Sequence, residues 1–191
     1  INKFIFNTKK KYILFCFHPE TTNLKKLNTQ LKELKKVLLK IQYKIIITYP
    51  SSDPGSEKII SFFKKMVSKN KNKFIFIKNI SEDYYFLLKN CEFVLGNSSS
   101  GIVEAATFYK PVVNIGSRQL GKIIPKNVLC CEINKDKIFS KIQIALDKKF
   151  QNKIKKFKNP YGNGNSGRKI SKFLKNLNIN DNFFQKKFID I

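Results

Sequence analysis

Three consecutive serines and a glycine are the residues of this sequence that most clearly predict chemistry. The run Gly96–Lys110 reads GNSSSGIVEAATFYK, in which Ser98, Ser99 and Ser100 supply hydroxyl groups just before a predicted helix. The first backbone N–H groups of a helix have no intrahelical partner, and the helix dipole leaves partial positive charge there. We therefore expect an anion site at the serines, where Gly101 would let a ligand approach the backbone closely.

Glu104 and Arg118 extend this candidate site. Glu104 lies about one turn inside the helix, too far along to cap it, so its carboxylate is placed to meet the hydroxyls of a bound sugar. The chain then forms another predicted strand, Val112–Ile115, and leaves it through a loop that contains Arg118. Because ligands of open α/β sheets bind at the carboxyl ends of the strands, both loops are expected to face one crevice.

Two further polar groups follow the first two predicted strands. His18 is the single histidine and lies at the end of the first strand, whereas Ser51, Asp53 and Gly55 follow the second. The position of His18 favours a ligand contact. Ordinary interpretations stay open for all of them, since a lone histidine is common in loops, turn chemistry explains SSDPG, and NSSSG is also a typical helix N-cap.

Alternating strands and helices surround these residues. Strands are predicted at 11–17, 43–48, 74–77, 93–96, 112–115 and 128–131. Helices are predicted at 23–40, around 59–67, at 82–90 after a cap at Ser81, and at 101–110, 135–147 and 169–177. This alternation predicts an α/β, Rossmann-like parallel sheet with helices on both faces. The sequence contains one GxGxxG, GNGNSG at 162–167, but it follows no predicted strand, which argues against a standard dinucleotide-binding fold.

The charge of +25 would ordinarily suggest a nucleic-acid partner. Only Arg118 and Arg168 among the 38 basic residues are arginine, and the lysines are scattered beside many Asn, Ile and Phe residues. That mixture is typical of A/T-rich coding, whereas surfaces that read phosphates or bases use arginine more often. We therefore predict no nucleic-acid partner.

The length of 191 residues is enough for one domain with a substantial core, and the first residue, Ile1, suggests a piece of a longer polypeptide. We find no signal peptide or membrane-spanning stretch in the sequence, and we expect a cytoplasmic protein without a membrane partner. The four cysteines lack CxxC spacing, so we interpret them as reduced core residues rather than as disulfides or a metal site. They are Cys16, Cys91, Cys130 and Cys131.

The motifs GNSSSGIVEA and KPVVNIGSRQLGK together resemble the hydrolysing UDP-N-acetylglucosamine 2-epimerases of sialic-acid and related nonulosonate pathways. FHPETT, TYPSSDPGS and NPYGNGNSGRKI occur in the expected order, so the resemblance covers about residues 15–177. The fold of that family is GT-B, in which two Rossmann-like halves face each other across a cleft. The resemblance implies that residues 1–177 form the C-terminal, UDP-binding half, that the N-terminal half is absent, and that 178–191 is a lysine-rich tail.

The resemblance also implies a role for each candidate residue. In the family the serines corresponding to Ser98 and Ser99 hold the UDP diphosphate, the helix glutamate at Glu104 binds the ribose, and the loop arginine at Arg118 helps to bind the nucleotide. The histidine that corresponds to His18 lies beside the diphosphate, where it would stabilise the departing phosphate or relay protons. His18 is therefore the first catalytic candidate in this half.

Two more positions enter only through the resemblance. Ser51 corresponds to a position near the ligand, although many relatives have asparagine there. Ile80 corresponds to a residue near the uracil, where its backbone would bond the base edge, but its side chain is equally suited to the core. No metal or redox cofactor is implied, and the full-length protein is expected to be a homo-oligomer.

The implied reaction is hydrolytic 2-epimerisation of a UDP-activated 2-acetamido sugar, which releases UDP and a free sugar such as N-acetylmannosamine. The acid and base carboxylates of the family lie in the N-terminal half, so this chain alone is expected to be inactive. Two alternatives stay open. One is half of a GT-B glycosyltransferase, and the other is a UDP-sugar-binding domain without chemistry of its own.

Overall fold

The computed structural model describes residues 11–80 and 83–179. The described residues divide into two compact units, one within Ile1–Pro160 and the other within Tyr161–Ile191. The division predicted at residue 177 stays a prediction, and most of the predicted tail, 178–191, lies outside the described residues. Ser81, the predicted cap of the third helix, also lies outside them.

Six parallel strands form one sheet in the order β3-β2-β1-β4-β5-β6. Their bounds are β1 Tyr12–Cys16, β2 Lys44–Thr48, β3 Phe74–Ile77, β4 Val94–Gly96, β5 Val112–Ile115 and β6 Val128–Cys131. The chain runs outward from β1 to β3, then crosses back to place β4 beside β1. The carboxyl ends of β1 and β4 therefore flank the point where the strand order reverses, which is where ligands bind in such sheets.

Helices alternate with these strands. In the first unit they are α1 Leu27–Lys40, α2 Ser56–Ser68, α3 Asp83–Asn90, α4 Ser99–Val103, α5 Lys135–Leu146 and α6 Lys148–Ile154. Two 3₁₀ segments, Thr21–Lys26 and Ala105–Phe108, precede α1 and follow α4. The described part of the second unit contains α7, Ser166–Lys175. No helix within the described residues is long and apolar enough to cross a membrane.

Both faces of the sheet are buried. Ile13 and Phe15 of β1 belong to one apolar cluster with side chains of α1, α2 and α5, whereas Leu14 between them belongs to a second cluster with side chains of α3 and α4. Successive side chains of a strand point to opposite faces, which explains why the apolar run in β1 is continuous. The predicted α/β fold with helices on both faces is confirmed.

Several local elements differ from the sequence prediction. The helix predicted at 101–110 is instead the short α4 followed by a 3₁₀ segment, which ends where Tyr109 adopts a left-handed conformation with φ of 52°. Pro111 follows, and a proline disfavours helical backbone in the residue before it. The helix predicted from residue 23 begins at Leu27, because Asn23 has non-helical backbone angles.

The helix α6 was not predicted, although Asp147 carries its signal. The Asp147 carboxylate accepts a hydrogen bond from the backbone N–H of Phe150 at 2.9 Å, as a helix N-cap does. The prediction of core cysteines is confirmed for Cys91, which is buried, but it is wrong for Cys130, which is exposed on the edge strand β6. Among the described residues, no group of three or more His, Cys, Asp or Glu side chains is arranged to hold a metal ion.

Candidate functional site

Asn97 joins the loops that follow β1, β4 and β5. Its side-chain oxygen accepts a hydrogen bond from the backbone N–H of His18 at 2.7 Å, and its amide nitrogen donates to the His18 carbonyl at 2.9 Å. Its own carbonyl accepts hydrogen bonds from Gln119 Nε2 at 2.7 Å and from the Arg118 guanidinium at 3.3 Å. Asn97 is fully buried, so these bonds fix the three loops against one another away from competing water.

The need for Gly96 before Asn97 is steric. Gly96 has φ of 142° and pairs with Cys16 in the register of β4 on β1. A Cβ at this position would collide with the Cys16 carbonyl oxygen. The sequence pattern indicates only the end of a strand at Gly96-Asn97, and it does not predict that Asn97 connects three loops.

The three serines differ in what their hydroxyls contact. Ser98 is the N-cap of α4, and its hydroxyl accepts a hydrogen bond from the Ser100 N–H at 3.4 Å, which confirms the structural interpretation for that residue. The Ser100 hydroxyl is hydrogen bonded to the phenol of Tyr84. Ser99 is exposed, and its hydroxyl has no hydrogen-bond partner within the described part of the chain. Ser99 is therefore the serine whose hydroxyl is open to a ligand.

Gly101 has a packing role that its position at the start of a predicted helix does not indicate. A Cβ at this position would lie 3.1 Å from Cγ1 of Val112, because α4 packs closely on β5. The Gly101 N–H already donates to the Ser98 carbonyl at 3.2 Å. The absent side chain thus permits close packing of helix on sheet, and a contact between the Gly101 backbone and a ligand stays a prediction.

Glu104 follows α4 and is held by its backbone N–H, which donates to the Ser100 carbonyl at 3.0 Å. Its Oε2 atom is buried and has no hydrogen-bond donor among the described residues. A buried acceptor without a donor is unfavourable, since it has lost its hydrogen bonds to water. The position is suited to a ligand that brings a hydroxyl donor with it.

His18 lies between two groups that hold its ring. Its Nδ1 is 3.0 Å from the backbone nitrogen of Ser51, which donates to it, and its Nε2 is 3.1 Å from the Cys16 sulfur. Burial, and then the nearby positive charge of Arg118, lower the pKa of His18 to about 4, although Asp53 opposes the shift. The imidazole is therefore neutral at physiological pH.

Ser51 is exposed, and both its backbone nitrogen and its hydroxyl oxygen lie close to Nδ1 of His18, at 3.0 and 2.9 Å. Besides the backbone bond to Nδ1, its hydroxyl donates to Oδ2 of Asp53 at 2.6 Å. The carboxylate of Asp53 in turn lies 3.7 Å from the guanidinium of Arg118. The structure thus connects His18, Ser51, Asp53 and Arg118 through direct contacts, as neighbours at one end of the sheet.

Ile80 is separate from this network. Its side chain is buried in the second apolar cluster, with Leu14, Ile46 and Leu87. Its carbonyl accepts a hydrogen bond from the N–H of Asp83 at 3.2 Å. The core interpretation of the side chain is therefore confirmed, and a contact between the Ile80 backbone and a base stays a prediction.

Comparison with known proteins gives consistent matches over nearly the whole chain. A family model described as UDP-N-acetylglucosamine 2-epimerase matches residues 1–175. The GDP/UDP-N,N'-diacetylbacillosamine 2-epimerase (hydrolyzing) of Campylobacter jejuni is 38% identical over 189 residues, which are 95% of this chain and 47% of that protein. Polysialic acid biosynthesis protein P7 of Escherichia coli is 30% identical over 184 residues, with the same coverage of 95% and 47%. The chain spans about half the length of the curated relatives it matches.

Solved structures share the fold. The UDP-GlcNAc 2-epimerase of Neisseria meningitidis, bound to UDP-GlcNAc, aligns with a TM-score of 0.70 at 18% identity, over 91% of this chain and 47% of that one. The S. aureus MnaA–UDP structure aligns with a TM-score of 0.67 at 18% identity, over 87% and 46%. These alignments confirm that the parallel sheet is one half of a GT-B-like architecture.

Proposed function

Since this chain belongs to the UDP-N-acetylglucosamine 2-epimerase family, we propose that it is the nucleotide-binding half of a hydrolysing UDP-sugar 2-epimerase. The observation that carries the proposal is the buried Oε2 of Glu104, which lies one helical turn from the serines and has no hydrogen-bond donor among the described residues. A ribose hydroxyl supplies the donor that this oxygen lacks, and a charge-assisted hydrogen bond of this kind is among the stronger ones in proteins. The site is therefore expected to bind most tightly a ligand that has vicinal hydroxyls next to a phosphate.

We assign the other candidate residues to the diphosphate and the base of the nucleotide. The Ser99 hydroxyl and the Arg118 guanidinium bind the diphosphate, with Ser98 and Ser100 keeping the turn in shape. Arg118 suits this role because its planar fork retains free N–H donors after it bonds to the Asn97 carbonyl. The backbone of Ile80 is assigned a hydrogen bond to the edge of the base. This assignment is supported by the similarity to epimerases over residues 1–175.

The proposed chemistry begins with loss of the proton on C2 to a base in the N-terminal half. The C1–O bond then breaks, its electron pair leaves with UDP, and a glycal-type intermediate forms. Water adds its hydroxyl to C1, and a proton returns to C2 on the opposite face, which gives the 2-epimeric free sugar. This half contributes by stabilising the negative charge on the departing diphosphate, through Arg118, Ser99 and His18, whose single N–H turns from the Cys16 sulfur to the diphosphate in the bound state.

The substrate in this proposal is UDP-N-acetylglucosamine or a related UDP-2-acetamido sugar, and the product is a sugar such as N-acetylmannosamine. The hydrolytic route, rather than a reversible exchange of UDP-sugars, is supported by the name of the 38% identical Campylobacter relative. Because the chain spans 47% of that relative, the sugar-reading residues are proposed to lie in the other half.

The test incubates the full-length protein with UDP-N-acetylglucosamine in H₂¹⁸O. The proposal predicts free N-acetylmannosamine and UDP without the label, because the C1–O bond breaks and water does not attack phosphorus. Conversion to UDP-N-acetylmannosamine without net UDP release would contradict the hydrolytic route. UDP release that requires an added sugar acceptor would instead identify a glycosyltransferase.

A further inference from the structure

The carboxylate of Glu20 is buried without a cation beside it. The residue is 6% exposed, and within residues 11–80 and 83–179 no lysine or arginine forms an ion pair with it. Burial of an unpaired charge is costly unless strong hydrogen bonds compensate for the lost water. The groups that bond to Glu20 therefore indicate why a carboxylate occupies this position.

Those groups come from two different elements. Oε1 of Glu20 accepts hydrogen bonds from the backbone N–H of Ser117 at 2.6 Å and of Arg118 at 3.3 Å. Oε2 accepts a hydrogen bond from the side-chain amide of Gln30, on α1, at 3.1 Å. The carboxylate thus connects the loop after β5 to the helix α1.

The loop is wrapped closely around this oxygen. Gly116 has φ of 77°, and a Cβ there would collide with Oε1 of Glu20. The backbone of Ser117 and Arg118 consequently follows a path that the carboxylate determines. The side chain of Arg118 leaves this anchored backbone and reaches the Asn97 carbonyl and Asp53.

We propose that Glu20 is a positioning residue that holds the guanidinium of Arg118 in the geometry needed for the diphosphate. This inference rests on the proposed function, because it takes the diphosphate as the ligand of Arg118. Glu20 makes no contact with the nucleotide in this scheme. It acts by fixing two backbone N–H groups, so that the fork of Arg118 is aimed before the ligand arrives.

The test compares UDP and uridine by calorimetry on the full-length protein. Glu20→Gln keeps the size of the side chain but replaces a charged double acceptor with a neutral amide. We expect it to weaken the binding of UDP by about tenfold, which corresponds to the loss of one charge-assisted contact. The binding of uridine should weaken by less than about twofold. Glu57→Gln on the exposed start of α2 is the matched control and should change neither.

A double-mutant cycle with Arg118→Lys shows whether Glu20 acts through the arginine. If it does, Glu20→Gln should weaken UDP far less in the Arg118→Lys background than in the wild type, because coupled residues are not additive. Gln30→Leu removes the amide that donates to Oε2 of Glu20, but it keeps the Glu20 carboxylate and the two backbone N–H groups that bond to Oε1. This variant therefore tests the proposal if Glu20→Gln does not fold. Like Glu20→Gln, it should weaken the binding of UDP more than the binding of uridine.

The two proposals fail in different ways. Full additivity of Glu20→Gln and Arg118→Lys, or equal weakening of UDP and uridine, would overturn the positioning role. Absence of UDP binding to the wild-type protein would overturn the proposed function instead.

Discussion

The backbone N–H of Ser51 donates a hydrogen bond to Nδ1 of His18 at 3.0 Å. A backbone amide can only donate, so this bond favours a lone pair on Nδ1 and a proton on Nε2 of the neutral ring, although Nδ1 also lies 2.9 Å from the Ser51 hydroxyl. Nε2 is the nitrogen 3.1 Å from the Cys16 sulfur, near the start of the serine turn. In the proposed function the Nε2 proton exchanges its contact with the Cys16 sulfur for a hydrogen bond to the leaving diphosphate when UDP binds.

The first prediction concerns the protonation of His18. Its pKa should be about 4, well below the ordinary value of 6.5, because burial and Arg118 disfavour the imidazolium. Since His18 is the single histidine, ¹⁵N NMR gives an unambiguous signal. We expect a neutral ring protonated on Nε2 from pH 6 to 8, and a midpoint near 6.5 or a proton on Nδ1 would contradict the assignment.

The same shift predicts the direction of acid sensitivity. The unfolded chain takes up a proton on His18 below about pH 6.5, whereas the folded chain resists it until about pH 4. The folded state therefore binds fewer protons over this window, and the contribution of His18 to the free energy of unfolding decreases as the pH falls through it. Urea denaturation of wild type and His18→Gln at several pH values measures the difference, which should diminish from pH 7 to pH 4.

The second prediction concerns Glu104. Glu104→Gln removes the charge from a buried group whose Oε2 has no donor among the described residues, so the ligand-free protein should keep or gain thermal stability. The same change loses charge assistance to a ribose hydroxyl, and it should weaken UDP and uridine alike. Thermal unfolding and calorimetry test the two effects together. If the variant bound UDP more weakly but bound uridine as tightly as the wild type, Glu104 would contact the phosphates instead of the ribose.

The third prediction separates two neighbouring serines. Ser98→Ala removes the N-cap of α4 and should lower the free energy of unfolding by about 1 kcal/mol. Ser99→Ala should leave the stability unchanged, weaken UDP by about 1 kcal/mol, and spare uridine, because one hydrogen bond to phosphate is lost. Each variant is the control for the other. Equal weakening of uridine by Ser99→Ala would mean that the turn does not contact phosphate.

The fourth prediction concerns the geometry of Arg118. Arg118→Lys keeps the positive charge but loses the planar fork, and it should weaken UDP by at least about 1 kcal/mol. A lysine amine also cannot replace both contacts that the guanidinium makes, with the Asn97 carbonyl and with Asp53. Calorimetry at low and moderate salt should show the loss at both concentrations, because it stems from geometry. Unchanged affinity would indicate that charge alone matters.

The fifth prediction is that the 191-residue chain by itself releases no N-acetylmannosamine from UDP-N-acetylglucosamine. The reason is that the chain spans about half the length of its relatives, and the acid and base carboxylates of the proposed reaction belong to the other half. A coupled assay for free sugar measures this, with the full-length protein as the positive control. Steady turnover by the chain alone would overturn the division of roles.

The sequence by itself determined the fold class. Strands with continuous apolar runs, such as β1 and β2, alternate with helices, and this pattern has few solutions other than a parallel sheet covered on both faces. It also determined that polar residues such as His18, Ser98 and Arg118 follow strand ends, because chain order places them there. Parallel strands bring such loops together at one edge of the sheet.

Only the tertiary structure decided which atoms are engaged and which are open. The roles of Asn97 and Glu20 depend on contacts across 79 and 97 positions of the chain, and no local pattern encodes such contacts. The same holds for Ser99, whose hydroxyl lacks a partner in the described part of the chain. The hydroxyl of Ser98 accepts a bond from the Ser100 N–H, and the hydroxyl of Ser100 is bonded to Tyr84. Hydrogen bonding and burial at a site are set by neighbours in space, so they emerge when the strands assemble.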